Sequence, residues 1–469
     1  MSYETVIGLE VHAELKTDSK IFCSCPTTFG AEPNTQCCPV CMGMPGTLPV
    51  LNEQVVRFAA KAGMATNCTI ARYSKQDRKN YFYPDLPKAY QISQYDLPLC
   101  ERGYIDIDTS KGTKRIGITR IHIEEDAGKL IHGKDGTLCD YNRCGVPLIE
   151  IVSEPDIRSA EEAVAYVKKL RDILLYAGVS DCRMEEGSLR CDVNLSVHKI
   201  GEPFGTRTEM KNLNSFQFIA KAIEYERDRQ IKVLEMGGTI TQETRRYDQD
   251  EDKTYAMRTK ENANDYRYFP DPDLIPIILS DEVLTQLRSE IPVLPDERKA
   301  KYISEYALTP YDASLIVESR ENADFFEETA AKSRYPKTCA NIMISDVIKL
   351  CEQTGKFPVT SGQLASLSDI IGDGKVNSSA GKRILKAMCE SDKTADTIAD
   401  ELQLWQISSR EELVPILKDV LSKNEKSVTA YKAGKGNAIQ ALVGQGMRAT
   451  KGQGNPEMML KILEELLNT

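Results

Sequence analysis

Positive charge is in short supply in this 469-residue chain: 60 lysines and arginines face 70 aspartates and glutamates, for a net charge of -10. A chain with that balance does not bind nucleic acid through overall charge, although a local basic surface stays open to it. Long apolar runs are also missing, and none approaches the ~20 residues needed to cross a bilayer. The opening residues, MSYETVIGLEVH, lack the basic stretch and apolar core of a secretory signal. A cytoplasmic protein is therefore expected, with no membrane partner. Its fourteen cysteines are then expected as thiols or metal ligands rather than disulfides. The phosphate-cradling pattern G-x-x-x-x-G-K-[ST] is absent, and the nearest string, GKVNSSAGK, has the wrong spacing. A nucleotide bound here would have to be held another way. Internal repeats and low-complexity runs are absent too.

What is present is a set of five short segments that read as β-strands with charges on one face. In IGLEVHAEL, Gly8, Glu10, His12 and Glu14 alternate with apolar residues. In ITRIHIEED, the period of two puts Ile118, Arg120, His122, Glu124 and Asp126 on one face. PLIEIV sets Glu150 between Ile149 and Ile151. LRCDVNLSV opposes Arg190, Asp192, Asn194 and Ser196 to Cys191, Val193, Leu195 and Val197, and RTEMKN aligns Arg207, Glu209 and Lys211. Solvated outer faces alternate in the same way. They rarely repeat carboxylates beside Arg and Lys at strand centres. A carboxylate-lined sheet suits hard divalent cations, and those suit nucleotide phosphates.

Residues 1–293 are strand-rich and hold all four histidines. Two helices are expected among them: 159–179, capped by Ser159 and ended at Gly178, and 215–236, ended by Gly237-Gly238. The polar stretch 242–273 is too charged for a core and reads as a long loop or a lid. At IPVLPDERKAKYI a helical region begins, with Asp296 expected as its N-cap. The pattern divides it into a helical domain, 294–405, and a small helical tail domain, 406–469. The last segment carries Met459, Ile462, Leu463 and Leu466 on one stripe. The fold class is α+β.

Within FCSCPTTFGAEPNTQCCPVC, Cys23 and Cys25 precede Cys38 and Cys41, with Cys37 spare. Two short turns offering two thiolates each suit a closed, structural zinc site. Reduced surface thiols are the plain alternative. The run SKQDRKNYFYPDLPKAYQIS, 74–93, is dense in aromatics and cations. Lys79 and Lys88 there are candidate contacts to a phosphate or carboxylate, or snorkelling lysines over ordinary packing.

That run resembles the GatB family of the tRNA-dependent amidotransferases. So do IGLEVHAEL, PNTQCCPVCMGMPGTLPVLN, IHIEEDAGK, DYNRCGVPLIEIVSEPD, RCDVNLSV, TEMKNLNSF and VTAYKAGKGNAIQALVGQGMRATKG, so the resemblance spans the chain. One departure is Ala89, where the family's Leu-Pro-Lys-Gly-Tyr has glycine. A methyl there matters only if the backbone needs a positive φ.

The resemblance implies a glutamine-synthetase-like antiparallel cradle carrying ATP and divalent metal, here Mg²⁺. It implies transfer of the ATP γ-phosphoryl group to the side-chain carboxylate of misacylated Glu-tRNA(Gln) or Asp-tRNA(Asn), and then amidation by ammonia. Metal and phosphate contacts are expected from Glu10, His12, Glu124, Glu150 and Glu209. Asp192 and Glu125 are candidates for ammonia deprotonation or for a supporting shell. Lys79 and Lys88 would steady the acyl phosphate or line an ammonia route. Arg190, Arg207 and Lys211 are candidates for the ATP phosphates, or ordinary partners of neighbouring acids. The chain shows no amidase motif. The family implies a partner amidase subunit supplying ammonia, and a small third subunit, in a heterotrimer. Lys432, Lys435, Arg448 and Lys451, in a segment without acids, are the expected tRNA handle. A stand-alone ligase on free amino acid and a non-catalytic RNA-binding protein are the competing readings.

Overall fold

A computed structural model describes residues 3–259 and 266–468. It divides into two compact units, residues 1–295 and 296–469. The α+β class is as expected, with an antiparallel-dominated sheet first and helices after it.

Eight strands build the principal sheet: β1 (Tyr3–Glu14), β2 (Cys100–Thr109), β3 (Gly112–Glu125), β4 (Pro147–Ser153), β5 (Leu189–Lys199), β6 (Thr208–Lys211), β7 (Glu243–Asp248) and β8 (Lys253–Thr259). Across the sheet the order is β8, β7, β6, β5, β1, β4, β3, β2, with the short strand Thr69–Ile70 at the end. Neighbours are antiparallel except β6 and β7.

One face of this sheet is apolar. Ile7, Leu9, Val11 and Ala13 of β1 join Ile121 and Ile123 of β3, Ile149 and Ile151 of β4, and Val193 and Leu195 of β5 in a single core. Helices α1 (Glu53–Ala65), α2 (Ala160–Tyr176) and α3 (Phe216–Glu235) cover it. Both expected helices are present, with the Ser159 and Ser215 side chains accepting from backbone N–H groups three residues on. The sequence reading missed α1 and α4 (Asp281–Glu290). For α1 the signal was there: Asn52 caps it, and Val55, Val56, Ala59 and Ala60 recur at helical spacing.

Strict alternation fails at one place. The register of β3 against β4 shifts between Val152 and Ser153, and Arg102 on the adjacent β2 has φ 53°. This irregularity turns Ile118 into the core together with Ile121. Ile118 therefore does not share a face with Arg120, His122 and Glu124, contrary to the simple period of two.

The stretch expected as a long loop at 242–273 instead supplies β7 and β8, while 260–265 lie outside the described residues. The cause is a buried polar network. Glu226 of α3 is 0% exposed. Its carboxylate accepts from Arg229, Thr208, Gln230 and Thr254 at 2.6–3.1 Å and pairs with Arg245 at 3.2 Å. Charged residues can form sheet here because their partner is an acid on the helix beneath.

The second unit is helical from Pro295–Tyr306 onward. Asp296 is not the cap that the sequence suggested. Pro295, which needs no N–H partner, already sits inside the helix, and Asp296 lies in its first turn. One apolar cluster gathers around Tyr302, Phe326, Leu364 and Ile384, and a second around Leu413, Leu442, Met459 and Leu463. No helix among the described residues is long and apolar enough to cross a membrane.

Replacing Glu226 by Leu strands two arginines, and we expect a loss of roughly 3–5 kcal/mol in urea unfolding followed by circular dichroism. Burial works against the Glu226 charge, but Arg229, Gln230 and Arg245 hold its pKa below the ordinary value. Its contribution is thus present above the unfolded carboxylate pKa and lost as the pH falls through the depressed one. The variant's stability should fall less steeply in acid than that of the wild type.

Candidate functional site

The face opposite the helices carries the charges, and strand register arranges them in rows. His12 lies opposite Arg190 on one side and Glu150 on the other, and Glu150 lies opposite His122. One step along, Asp192 lies opposite Glu10. Glu209 of β6 faces Asn194 of β5. A cavity of about 790 Å³ opens over these rows.

Two triads of possible ligands emerge. His12, Glu124 and Glu150 each bring one ligand atom within 4.8 Å of the others, and Glu10, Asp192 and Glu209 do the same. The five expected metal residues are thus divided between two places. Asp192, expected as a proton acceptor or supporting residue, joins the second set. Both sets are oxygen-rich, as hard divalent cations require. The residues present fit such ions.

The surroundings hold the ligand atoms in position. Asn194 donates to Glu10 Oε1 at 2.9 Å and Thr244 donates to Glu209 Oε2 at 2.8 Å. Lys211 pairs with Asp192 and lies 3.6 Å from Glu209. His122 was on the charged face but carried no assigned role. Its Nε2 lies 3.5 Å from Glu150 and 3.6 Å from Glu124, while Arg120 donates to its Nδ1 at 3.4 Å. It is placed to orient both carboxylates from behind. Burial opposes the charge on Glu150, yet His122, His12 and Lys79 hold its pKa well below the ordinary carboxylate range. Burial likewise opposes protonation of His12, but the hydrogen bond and charge of Glu150, with Asp192 beyond, raise its pKa.

Lys79 reaches the same cavity from a small separate sheet, in which Asp77–Asn80 pairs with Tyr90–Ser93 and Phe269–Pro270. Its Nζ lies 5.2 Å from the Tyr266 ring centroid and 5.9 Å from that of Tyr81. Its charge is favoured, against burial, by Glu124 and Glu150. Tyr95 and Tyr268, stacked at 4.4 Å, continue this aromatic wall. Tyr266 and Tyr268 went unassigned in the sequence because they lie far from Lys79 along the chain. Arg207 lines the cavity and is exposed, whereas Arg190 is committed to Asp126 at 2.7 Å.

Lys88 and Glu125 are elsewhere. They form a buried pair, 2.6 Å to Glu125 Oε2, beside a cavity of about 70 Å³. Cys23 and Cys41 line the same small cavity. The four cysteine sulfurs of Cys23, Cys25, Cys38 and Cys41 lie within 4.8 Å of one another. Zn–S bonds of ~2.3 Å in a tetrahedron put sulfurs about 3.8 Å apart, so the set fits zinc. Cys37 turns instead toward Asn142.

In the second unit Lys432, Lys435, Arg448 and Lys451 are all exposed, and among the described residues none makes an ion pair. Gly446 and Gly454 are packed against Met459, on which an added methyl at either would press.

Residues 5–285 match the family model described as the GatB/GatE catalytic domain, and residues 324–467 match the GatB domain. The chain belongs to the GatB family. It is 55% identical to the B subunit of the aspartyl/glutamyl-tRNA(Asn/Gln) amidotransferase of Caldicellulosiruptor saccharolyticus, over 100% of this chain and 99% of that protein. The same identity holds for the corresponding protein of Caldanaerobacter subterraneus, over 100% of both chains. A relative of the same kind from Clostridium acetobutylicum is 50% identical, again over 100% of both.

Against the GatB pattern, Ala89 gains meaning. Its φ is 61°, in the left-handed region where a Cβ costs roughly 1–2 kcal/mol. It directly follows Lys88, whose side chain packs on Gly43. Ala89→Gly should therefore raise stability by about 1 kcal/mol, read as a higher melting temperature. A drop would show that the methyl is held by contacts that outweigh the strain.

Proposed function

We propose that this chain is the ATP-using, amide-forming subunit of a cytoplasmic tRNA-dependent amidotransferase. The observation that carries the reading is the pair of acidic triads facing one cavity beneath Lys79. Its substrate is misacylated Glu-tRNA(Gln), Asp-tRNA(Asn) or both, the pairs named for its relatives. The substrate side-chain carboxylate attacks the γ-phosphorus of ATP, and the bond to the bridging oxygen breaks, releasing ADP. Ammonia then attacks the acyl carbon and loses a proton, and the C–O bond breaks to release phosphate.

Mg²⁺ held by His12, Glu124 and Glu150, and by Glu10, Asp192 and Glu209, would neutralise the two anions that must meet. Lys79 supplies a half-buried positive charge on the same cavity for the acyl phosphate. Arg207 borders both this cavity and a neighbouring one of about 350 Å³, lined by Val6, Leu9, Val152, Phe204 and the polar Asn194 and Ser196. An apolar slot with a few polar groups, sharing Glu10 and Arg207 with the acid site, suits the nucleoside of ATP. Lys88 and Glu125 would line the ammonia path from a partner amidase subunit, with a small third subunit completing a heterotrimer. The exposed Lys432, Lys435, Arg448 and Lys451 would hold the tRNA body through its backbone.

The test is phosphate release and Gln-tRNA formation by the chain co-expressed with its amidase and small partner subunits. It is supplied with Glu-tRNA(Gln), glutamine, ATP and Mg²⁺. Both products should require the charged tRNA; turnover on free glutamate would favour a stand-alone ligase. Glu10→Gln should lower phosphate release by roughly 100-fold or more without changing tRNA affinity. Equal activity would remove Glu10 from the site. Changing Lys432, Lys435, Arg448 and Lys451 together to Ala should weaken tRNA binding and reduce the salt slope by up to about 3. An unchanged slope would sink the tail as a handle.

A further inference from the structure

Lys20 is 0% exposed. A lysine so placed normally ends on a carboxylate, because a buried ammonium without a counter-charge costs several kcal/mol. Lys20 has no such partner: among the described residues it makes no carboxylate ion pair. Its Nζ lies 3.8 Å from Cys41 Sγ and donates to the Tyr141 carbonyl at 3.3 Å. The backbone is committed to the same corner. Lys20 N donates to the Cys25 carbonyl at 2.9 Å, and Ile21 N to the Gly145 carbonyl at 2.9 Å. One lysine thus braces the loop of the first cysteine pair with its main chain and touches the second pair with its charge.

We infer that Lys20 is the positioning cation of the four-cysteine cluster, its buried charge balanced by the metal-bound thiolates. Zinc with four thiolates carries a net double negative charge, which is costly in a half-buried site. An ammonium against one sulfur removes half of it. The dependence is mutual. Without the metal, the doubly negative cluster that balances the ammonium is gone, so Lys20 supports the loaded form more than the stripped one. Its stem also lines the small cavity where Lys88 meets Glu125, so occupancy of the metal cluster bears on the wall of that cavity.

The test uses the full-length chain purified with zinc, and Lys20→Met and Lys20→Arg variants. Metal content, the rate of zinc transfer to a chelating dye, and melting temperature in zinc-loaded and zinc-stripped, reduced forms are measured. Lys20→Met should release zinc roughly 10- to 100-fold faster, the range typical of groups supporting metal ligands. Its melting temperature should fall further below wild type when loaded than when stripped, because the doubly negative metal centre that Lys20 offsets is present only with zinc. Lys20→Arg, which keeps the charge, should restore slow release. Release at the wild-type rate, or an equal drop in melting temperature in both forms, would overturn the assignment, as would wild type that binds no zinc. Should Lys20→Met fail to fold, Lys20→Gln keeps a polar group for Tyr141 without the charge. It must still show the faster release, and wild-type release from it would overturn the proposal equally.

Discussion

Carboxylates crowded on one face of a sheet repel each other, and everything else in the first unit answers to that repulsion. Glu10, Glu124, Glu150, Asp192 and Glu209 face the same cavity. At ~4 Å two like charges oppose each other by about 1 kcal/mol in water and several times that near a protein surface. The opposition is met locally. Glu150 has a histidine on either side, Asp192 and Glu209 share Lys211, and Lys79 overhangs the cavity from another sheet. Such a surface would fly apart if the strands could slip. They cannot, because a one-residue slip would drive Ile7, Leu9, Val11, Ile149 and Val193 off the helices behind them. The apolar face thus secures an arrangement on the polar face that would not hold itself together.

Much of this is legible in the amino-acid sequence. Period-two alternation in β1, β4 and β5 places Glu10, His12, Glu150 and Asp192 on a common face from spacing alone. The spacing of the Cys-x-Cys and Cys-x-x-Cys pairs points to the cluster of four sulfurs in the same way. What alternation cannot give is pairing between strands. Which acids form triads depends on strand order and register, and so Asp192 moved into company with Glu10 and Glu209. A shift of register beside Thr119 also reverses alternation, close to Gly117 and opposite Gly103, and Ile118 was misplaced because those glycines were not read as a bulge signal. The charged run 243–259 folds into strands because Glu226, far away in sequence, receives Arg245 and Thr254. Composition taken locally points the other way.

Consecutive residues on a strand point to opposite faces, and the end of β3 uses this to serve two cavities. Glu124 opens onto the large acid-lined cavity; Glu125, the next residue, turns to Lys88 and the small cavity beside the cysteines. One strand end therefore fixes the distance between the two. Movement of β3 that reshaped one would reshape the other. The chain leaving β3 soon reaches Asp126, which takes Arg190 at 2.7 Å and ties this end back to β5, two strands beyond β4. The sheet's hydrogen bonds, that ion pair and the Lys88–Glu125 pair all converge on residues 124–126. Their geometry is over-determined, as the proposed meeting of two anions at fixed separation would require.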